Sequence, residues 1–214
     1  MSIIGALFRD DVVLARRLLA QGADPNEIDS DGCSALMEAA LVDKDFLIEL
    51  IVSGADLNHQ NNDGYTALMW TSNDDYVDSL KVLLNAGADP NLKSNTGKTA
   101  LMLAADGDDL LTVSELLKAG ANMYIKDNNG YTVYDYADSE VKKYLDKVLT
   151  NIALLTHTYR KSNRTGPKSS RKTKLPVELI RYASEFRFAR KSKKKSKKKS
   201  KRSNRKSIRR SNRK

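Results

Sequence analysis

The 214-residue sequence predicts an all-α solenoid of about five helix pairs joined by short hairpin-like loops, followed by a short helix and a disordered basic tail. Three observations predict it. A block opening on Gly-Ala recurs as GADPNEIDSDGCSALMEAA from Gly22, GADLNHQNNDGYTALMWTS from Gly54, GADPNLKSNTGKTALMLAA from Gly87 and GANMYIKDNNGYTVYDYAD from Gly120, at intervals of 32, 33 and 33 residues. A fixed period of this length is the mark of a stacked repeat architecture. An apolar segment with helical spacing precedes each opening glycine, namely LARRLLAQ, FLIELIVS, SLKVLLNA and TVSELLKA. The charge is also divided: residues 159–214 hold twenty-five basic and two acidic side chains, whereas residues 1–158 hold twelve basic and twenty-five acidic, within a net charge of +10.

The elements follow in order. MSIIGALFRDDVVLARRLLAQ aligns with the helical part of the later blocks, so the chain opens directly on a first helix without a preceding turn. Each opening glycine then ends a helix, where it takes the left-handed conformation without a Cβ clash. Asp and Asn dominate the next ten residues and favour tight turns. A second glycine closes each turn at Gly32, Gly64, Gly97 and Gly130, and Ser34, Thr66, Thr99 and Thr132 stand where a hydroxyl caps a new helix. Leu36, Leu68 and Leu101 point to the core. Val141, Leu145, Val148, Ile152 and Leu155 extend the last helix to about His157, where it closes the stack.

This pattern resembles the ankyrin repeat family, whose T-P-L-H-x-A signature stands here as SALMEA, TALMWT, TALMLA and TVYDYA over residues 1 to about 150. Ala or Val replaces the Pro, and Met or Asp replaces the His, which removes the Thr–His pairing of the family. The fourth unit also lacks about four residues between its helices. The resemblance implies a protein-binding concave surface built from hairpin tips and the exposed side of each first helix.

Residue by residue, that surface takes Cys33, Tyr65, Lys98 and Tyr131 after the second glycine. It takes Glu38, Trp70, Leu103 and Tyr136 after the signature, with Tyr124 at the neighbouring tip. Aromatic side chains are frequent anchors of protein interfaces. The partner-binding candidates are Glu38, Tyr65, Trp70, Lys98, Leu103, Tyr124 and Tyr131; packing between repeats is the alternative for Trp70 above all.

Catalysis finds no support. His59 and His157 lie far apart in the chain, Cys33 is the lone cysteine, and no phosphate-binding glycine loop occurs. Acid pairs at Asp10 and Asp11, Asp43 and Asp45, Asp74 and Asp75, and Asp108 and Asp109 recur at nearly the repeat spacing, where they suit the capping of each second helix. They also form a row that would attract basic partners. No metal, cofactor or small-molecule ligand is expected. One cysteine, no signal-like start and no membrane-length apolar run read as an intracellular chain, nuclear or cytoplasmic.

The expected domains are the repeat body over 1–158, a polar linker over 159–174, an amphipathic helix over 175–190 and the tail over 191–214. LPVELI at 175–180 resembles the opening of an F-box, which makes Leu175, Pro176, Glu178, Leu179 and Ile180 candidates for contacting a ubiquitin-ligase adaptor. A full F-box does not fit in the space available. The combination is similar in style to ankyrin proteins of large DNA viruses. KSKKKSKKKSKRSNRKSIRRSNRK, residues 191–214, carries fifteen Lys or Arg and no acid. Such a run remains unfolded through repulsion. Lys193, Lys194, Lys195, Lys197, Lys198, Lys199, Lys201 and Arg202 form the heart of a nuclear-import signal or a non-specific nucleic-acid grip. Without an aromatic there is no base stacking and no sequence preference.

Overall fold

The computed structural model describes residues 2–72 and 76–165. Among them are ten helices and no strands: α1 (Ile3–Leu7), α2 (Val12–Ala20), α3 (Ala35–Val42), α4 (Lys44–Val52), α5 (Ala67–Trp70), α6 (Val77–Ala86), α7 (Ala100–Asp106), α8 (Leu110–Lys118), α9 (Val133–Tyr136) and α10 (Ser139–Thr165). A single antiparallel bridge, Ile28 to Ser34, marks the first hairpin. The chain divides into a repeat unit, Met1–Tyr144, and a second unit, Leu145–Lys214, whose described part is the remainder of α10.

Helices pair as the period requires. Within the repeats α1 packs on α2, α3 on α4, α5 on α6 and α7 on α8, while α1, α3, α5, α7 and α9 follow one another along the inner layer and α2, α4, α6 and α8 along the outer. Leu36, Leu68 and Leu101 are buried as expected, and with Phe46, Leu47, Leu50, Leu80, Leu83, Val113 and Leu116 they make a continuous core. Each such side chain stabilises by about 1.5–3 kcal/mol when fully removed from water.

Caps set the helix starts. Ser34, Thr66 and Thr99 accept hydrogen bonds from the amides of Met37, Met69 and Met102 at 3.3, 3.2 and 3.4 Å. Four second helices use carboxylates instead: Asp11 accepts from Leu14, Asp43 from Phe46, Asp109 from Leu111 and Thr112, and Asp138 from Val141. By contrast, α6 follows Tyr76 with no side-chain cap, and Asp74 and Asp75 lie outside the described residues. Asp10 and Asp108 take left-handed backbone, φ 57° and 58°, so that the residue after each can turn back as a cap. Of the described acid pairs, Asp11, Asp43 and Asp109 therefore act as caps, while Asp10, Asp45 and Asp108 do not. At the start of α1 the amide of Ile3 donates to Glu27 Oε2 at 2.8 Å, a carboxylate lent by the following hairpin.

The last helix differs from expectation. It does not end near His157 but continues to Thr165, past the boundary drawn at 158. No glycine interrupts residues 131–165 to end it as Gly22, Gly54, Gly87 and Gly120 end the earlier second helices. The amphipathic segment at 175–190 and the tail lie outside the described residues.

Candidate partner-binding surface

The hairpins hold one residue per unit in a common frame. Asp29 Oδ1 accepts from the amides of Asp31 and Cys33, Asn61 Oδ1 from Asp63 and Tyr65, and Asp127 Oδ1 from Asn129 and Tyr131, while Ser94 Oγ accepts from Lys98. The backbone closes each turn as well, with the Asp29, Asn61, Ser94 and Asp127 amides donating to the carbonyls of Cys33, Tyr65, Lys98 and Tyr131. Four-residue turns of one design thus place Cys33, Tyr65, Lys98 and Tyr131 at equivalent points.

Neighbouring hairpins are joined by an asparagine rung. The Asn62 amide donates to Asp31 O, Asn95 to Asp63 O and Asn128 to Thr96 O, at 2.9–3.1 Å. The carboxamides reach one residue further back: Asn62 Nδ2 donates to Ser30 O at 3.2 Å, Asn95 Nδ2 to Asn62 O at 2.8 Å and Asn128 Nδ2 to Asn95 O at 2.8 Å. The approach is close because the earlier hairpin presents glycine. A Cβ at Gly64, φ +77°, would lie 2.6 Å from the Asn95 nitrogen. A second ladder runs beside it, in which Asn26, Asn58 and Asn91 Oδ1 accept from the amides of Asp56, Asp89 and Asn122. His59 belongs to this bracing, with Nε2 2.7 Å from Gly32 O.

The first-helix row holds Glu38, Trp70, Leu103 and Tyr136, all half-buried. In the hairpin row Cys33 is buried, Tyr65 and Lys98 are half-buried, and Tyr131 is 52% exposed. Tyr124 is half-buried at the place taken by Asn26, Asn58 and Asn91 in the other units. The structure brings Lys98 and Tyr131 together through Tyr136. The two rings meet edge to face with centroids 6.3 Å apart, and Lys98 Nζ lies 4.5 Å from the Tyr136 centroid and 3.1 Å from Asp106 Oδ2. The Tyr136 hydroxyl donates to Asp127 Oδ2 at 2.7 Å. Lys98 is accordingly already paired. Asp106 and Asp127 complete the cluster although sequence reading did not single them out; each pairs within its own unit, and the two pairs are linked through Lys98 and Tyr136 when the units stack.

Electrostatics differ along the surface. Burial, the hydrogen bond to Asp127 and that carboxylate's charge push the Tyr136 phenol up to about 12. Burial works against ionising Asp127, but hydrogen bonds from Tyr136 and from the amides of Tyr131 and Asn129 outweigh it and hold the carboxyl below its ordinary value. At the other end, burial and then the charge of Asp29 raise the Glu38 carboxyl. Burial also raises the Cys33 thiol, with Asn61 opposing and Asp29 adding to the rise.

Asp29, Cys33 and Glu38 bring one donor atom each within 4.8 Å of one another. Asp29 Oδ1 is already taken by two amides, and the thiol is kept protonated. With Asp29 Oδ1 so occupied, the trio reads as a local acidic patch. Among the described residues no helix is long and apolar enough to cross a membrane. The candidates at Leu175, Pro176, Glu178, Leu179 and Ile180, and those from Lys193 to Arg202, lie outside the described residues.

A family model of ankyrin repeats, three copies, matches residues 3–94 and again residues 71–150. The chain belongs to the ankyrin repeat family. No curated protein matches it. Ankyrin repeats build protein–protein interaction scaffolds, and this ankyrin chain keeps their inner layer while replacing the Thr–His pairing of the signature. Its hairpins are held to one another by asparagine rungs.

Proposed function

We propose that this ankyrin repeat protein is a non-enzymatic scaffold that holds a protein partner on its hairpins and first helices, centred on Tyr65, Trp70, Leu103 and Tyr131. The observation that carries the reading is the common frame. Equivalent turns and capped helices present apolar and aromatic side chains, half-buried or exposed, at one place in successive units. Glu38 and Lys98 flank them as polar edges, and Tyr124 adds an aromatic at the tip. Partner capture from the native cell tests it. Trp70→Ala and Tyr65→Ser each remove an anchor, and an anchor of the usual size, about 2 kcal/mol or more, weakens binding roughly 30-fold. Recovery of the same partners at the same yield by both variants would overturn the proposal.

Residues 191–214 supply the address in this reading, through nuclear import or through non-specific nucleic-acid binding whose affinity falls steeply with salt. A fluorescent fusion distributed identically with and without residues 191–214 would rule out the import role. The second reading, a ubiquitin-ligase substrate adaptor using Leu175, Pro176, Glu178, Leu179 and Ile180, rests on the LPVELI segment alone. Capture with and without residues 175–190 separates the two, and failure of the full chain to recover an adaptor subunit would remove the second.

A further inference from the structure

The hairpin ladder ends at a place built to receive one more rung. Gly32, Gly64 and Gly97 each admit the asparagine of the next hairpin, which would stand 2.5–2.7 Å from a Cβ at any of these positions. Gly130 repeats the arrangement with φ +85°, and nothing lies within 4 Å of the place its Cβ would take. The acceptors used in earlier rungs correspond here to the carbonyls of Asn128 and Asn129, to which no described residue donates. Asn128, Asn129 and Gly130 are all exposed. Among the described residues no fifth hairpin follows, because α10 continues for 27 residues where α2, α4 and α8 stop at nine.

The parallel ladder has been closed. Tyr124 replaces the asparagine of Asn26, Asn58 and Asn91, and so provides no carboxamide oxygen to accept the amide of a following unit. A complete ankyrin repeat would need both ladders; a single turn needs only the open one. A second copy of this chain does not fit the place through its first hairpin, which carries Ser30 where the rung requires asparagine and follows α1 and α2 directly.

From this continuity we infer that the tip at Asn128–Gly130 is a docking site, separate from the first-helix face, for a turn of a partner protein that carries an asparagine. The incoming asparagine donates its backbone N–H to Asn129 O and its carboxamide to Asn128 O, repeating the bonds Asn128 makes to Thr96 O and Asn95 O. The incoming turn needs no glycine of its own, because glycine is required only of the hairpin being approached. The exposed ring of Tyr131, next in sequence, offers it an apolar flank.

The test uses the full chain, labelled with ¹⁵N, and a cyclised peptide of residues 93–98, KSNTGK, which is this protein's own rung-forming segment. Saturable shifts confined to the amides of Asn128, Asn129, Gly130 and Tyr131 are expected, with at least tenfold weaker binding when the peptide's asparagine is changed to alanine. Gly130→Ala in the protein should abolish the response while lowering the urea midpoint by only about 0.5 M, the cost of its left-handed backbone alone. Absence of saturable shifts at the tip, or equal binding of the alanine peptide, would overturn the inference, and the peptide comparison decides even where the protein variant folds poorly. A response that appears only after removal of residues 166–214 would assign the place to this chain's own C-terminal segment and overturn its assignment to a partner. Loss of partner capture through Trp70 leaves this result unaffected, since the two surfaces are read by different variants.

Discussion

Alanine at Gly54, Gly64 and Gly130 separates the energy of a backbone conformation from the energy of a neighbour. All three glycines have positive φ, at +92°, +77° and +85°. A Cβ at Gly54 or Gly130 meets nothing within 4 Å, whereas at Gly64 it stands 2.6 Å from both the nitrogen and Oδ1 of Asn95 and 3.0 Å from the carbonyl carbon of Ser94. For Gly54 and Gly130 the change is conformational. A left-handed L-residue costs about 1–2 kcal/mol, and the loss of unfolded-state freedom gives back about 0.4–1, leaving about 1 kcal/mol. At Gly64 the Asn95 hairpin must withdraw as well. That withdrawal breaks Asn95 N to Asp63 O at 2.9 Å and Asn95 Nδ2 to Asn62 O at 2.8 Å. Two net hydrogen bonds at a partly solvated site add roughly 1–2 kcal/mol, for a total of about 2–3 kcal/mol. Urea denaturation followed by far-ultraviolet circular dichroism reads the difference. At a slope of about 2 kcal/mol per molar, Gly54→Ala and Gly130→Ala lower the midpoint by about 0.5 M and Gly64→Ala by about 1–1.5 M. Equal shifts for Gly54 and Gly64 would refute the idea that the asparagine rungs hold the stack.

Three further outcomes are expected. In a tyrosinate absorbance titration one phenol ionises late, near pH 12, and Tyr136→Phe removes that step; because the folded value lies above the unfolded one, its stabilising contribution is complete below about pH 10 and is lost as pH rises through about 12. Glu38→Gln raises stability at pH 7 and flattens its pH dependence, since a carboxyl whose folded value is raised favours folding below its unfolded value near 4.3 and loses that contribution as pH rises through the folded value; denaturation midpoints at pH 4 and pH 7 measure both effects. Asp109→Ala removes the acceptor for the Leu111 and Thr112 amides at 2.9 and 3.1 Å and lowers stability by about 1–2 kcal/mol, read by the same urea denaturation.

The repeat period was legible because the physics behind it is local. A left-handed position after each helix favours glycine, and a helix start favours Ser, Thr or Asp, so Gly22, Gly54, Gly87 and Gly120 and the caps from Asp11 to Thr132 declare themselves without knowledge of neighbours. The rungs were less visible. Grouping Asp with Asn as turn formers merges two jobs: Asp29, Asn61, Ser94 and Asp127 close their own turns, whereas Asn62, Asn95 and Asn128 bind the turn before. The separating signal was present, since asparagine holds the second place in the three later turns and serine in the first. In the Lys98, Asp106, Tyr136 and Asp127 cluster, Lys98 with Asp106 and Tyr136 with Asp127 pair inside their own units; the link between Lys98 and Tyr136 had no comparable signal, because it forms only across a stacked junction. The overrun of α10 past His157 reflects the missing glycine, an absence that apolar spacing does not register.

Gly64 and Asn95 belong to different repeats yet form one device, and this bears on how such a chain can be lengthened. A unit taken from second or third place carries both halves, an asparagine for the turn behind and a glycine for the turn ahead. Inserted after itself it would find Gly64 or Gly97 waiting and offer the same glycine onward, so tandem duplication of the interior needs no adjustment at its seams. The outer units lack this freedom: the first brings Ser30 to a seam that asks for asparagine, and the last brings Tyr124 to one that asks for a carboxamide. Growth by copying is therefore open in the middle of this molecule and obstructed at its ends.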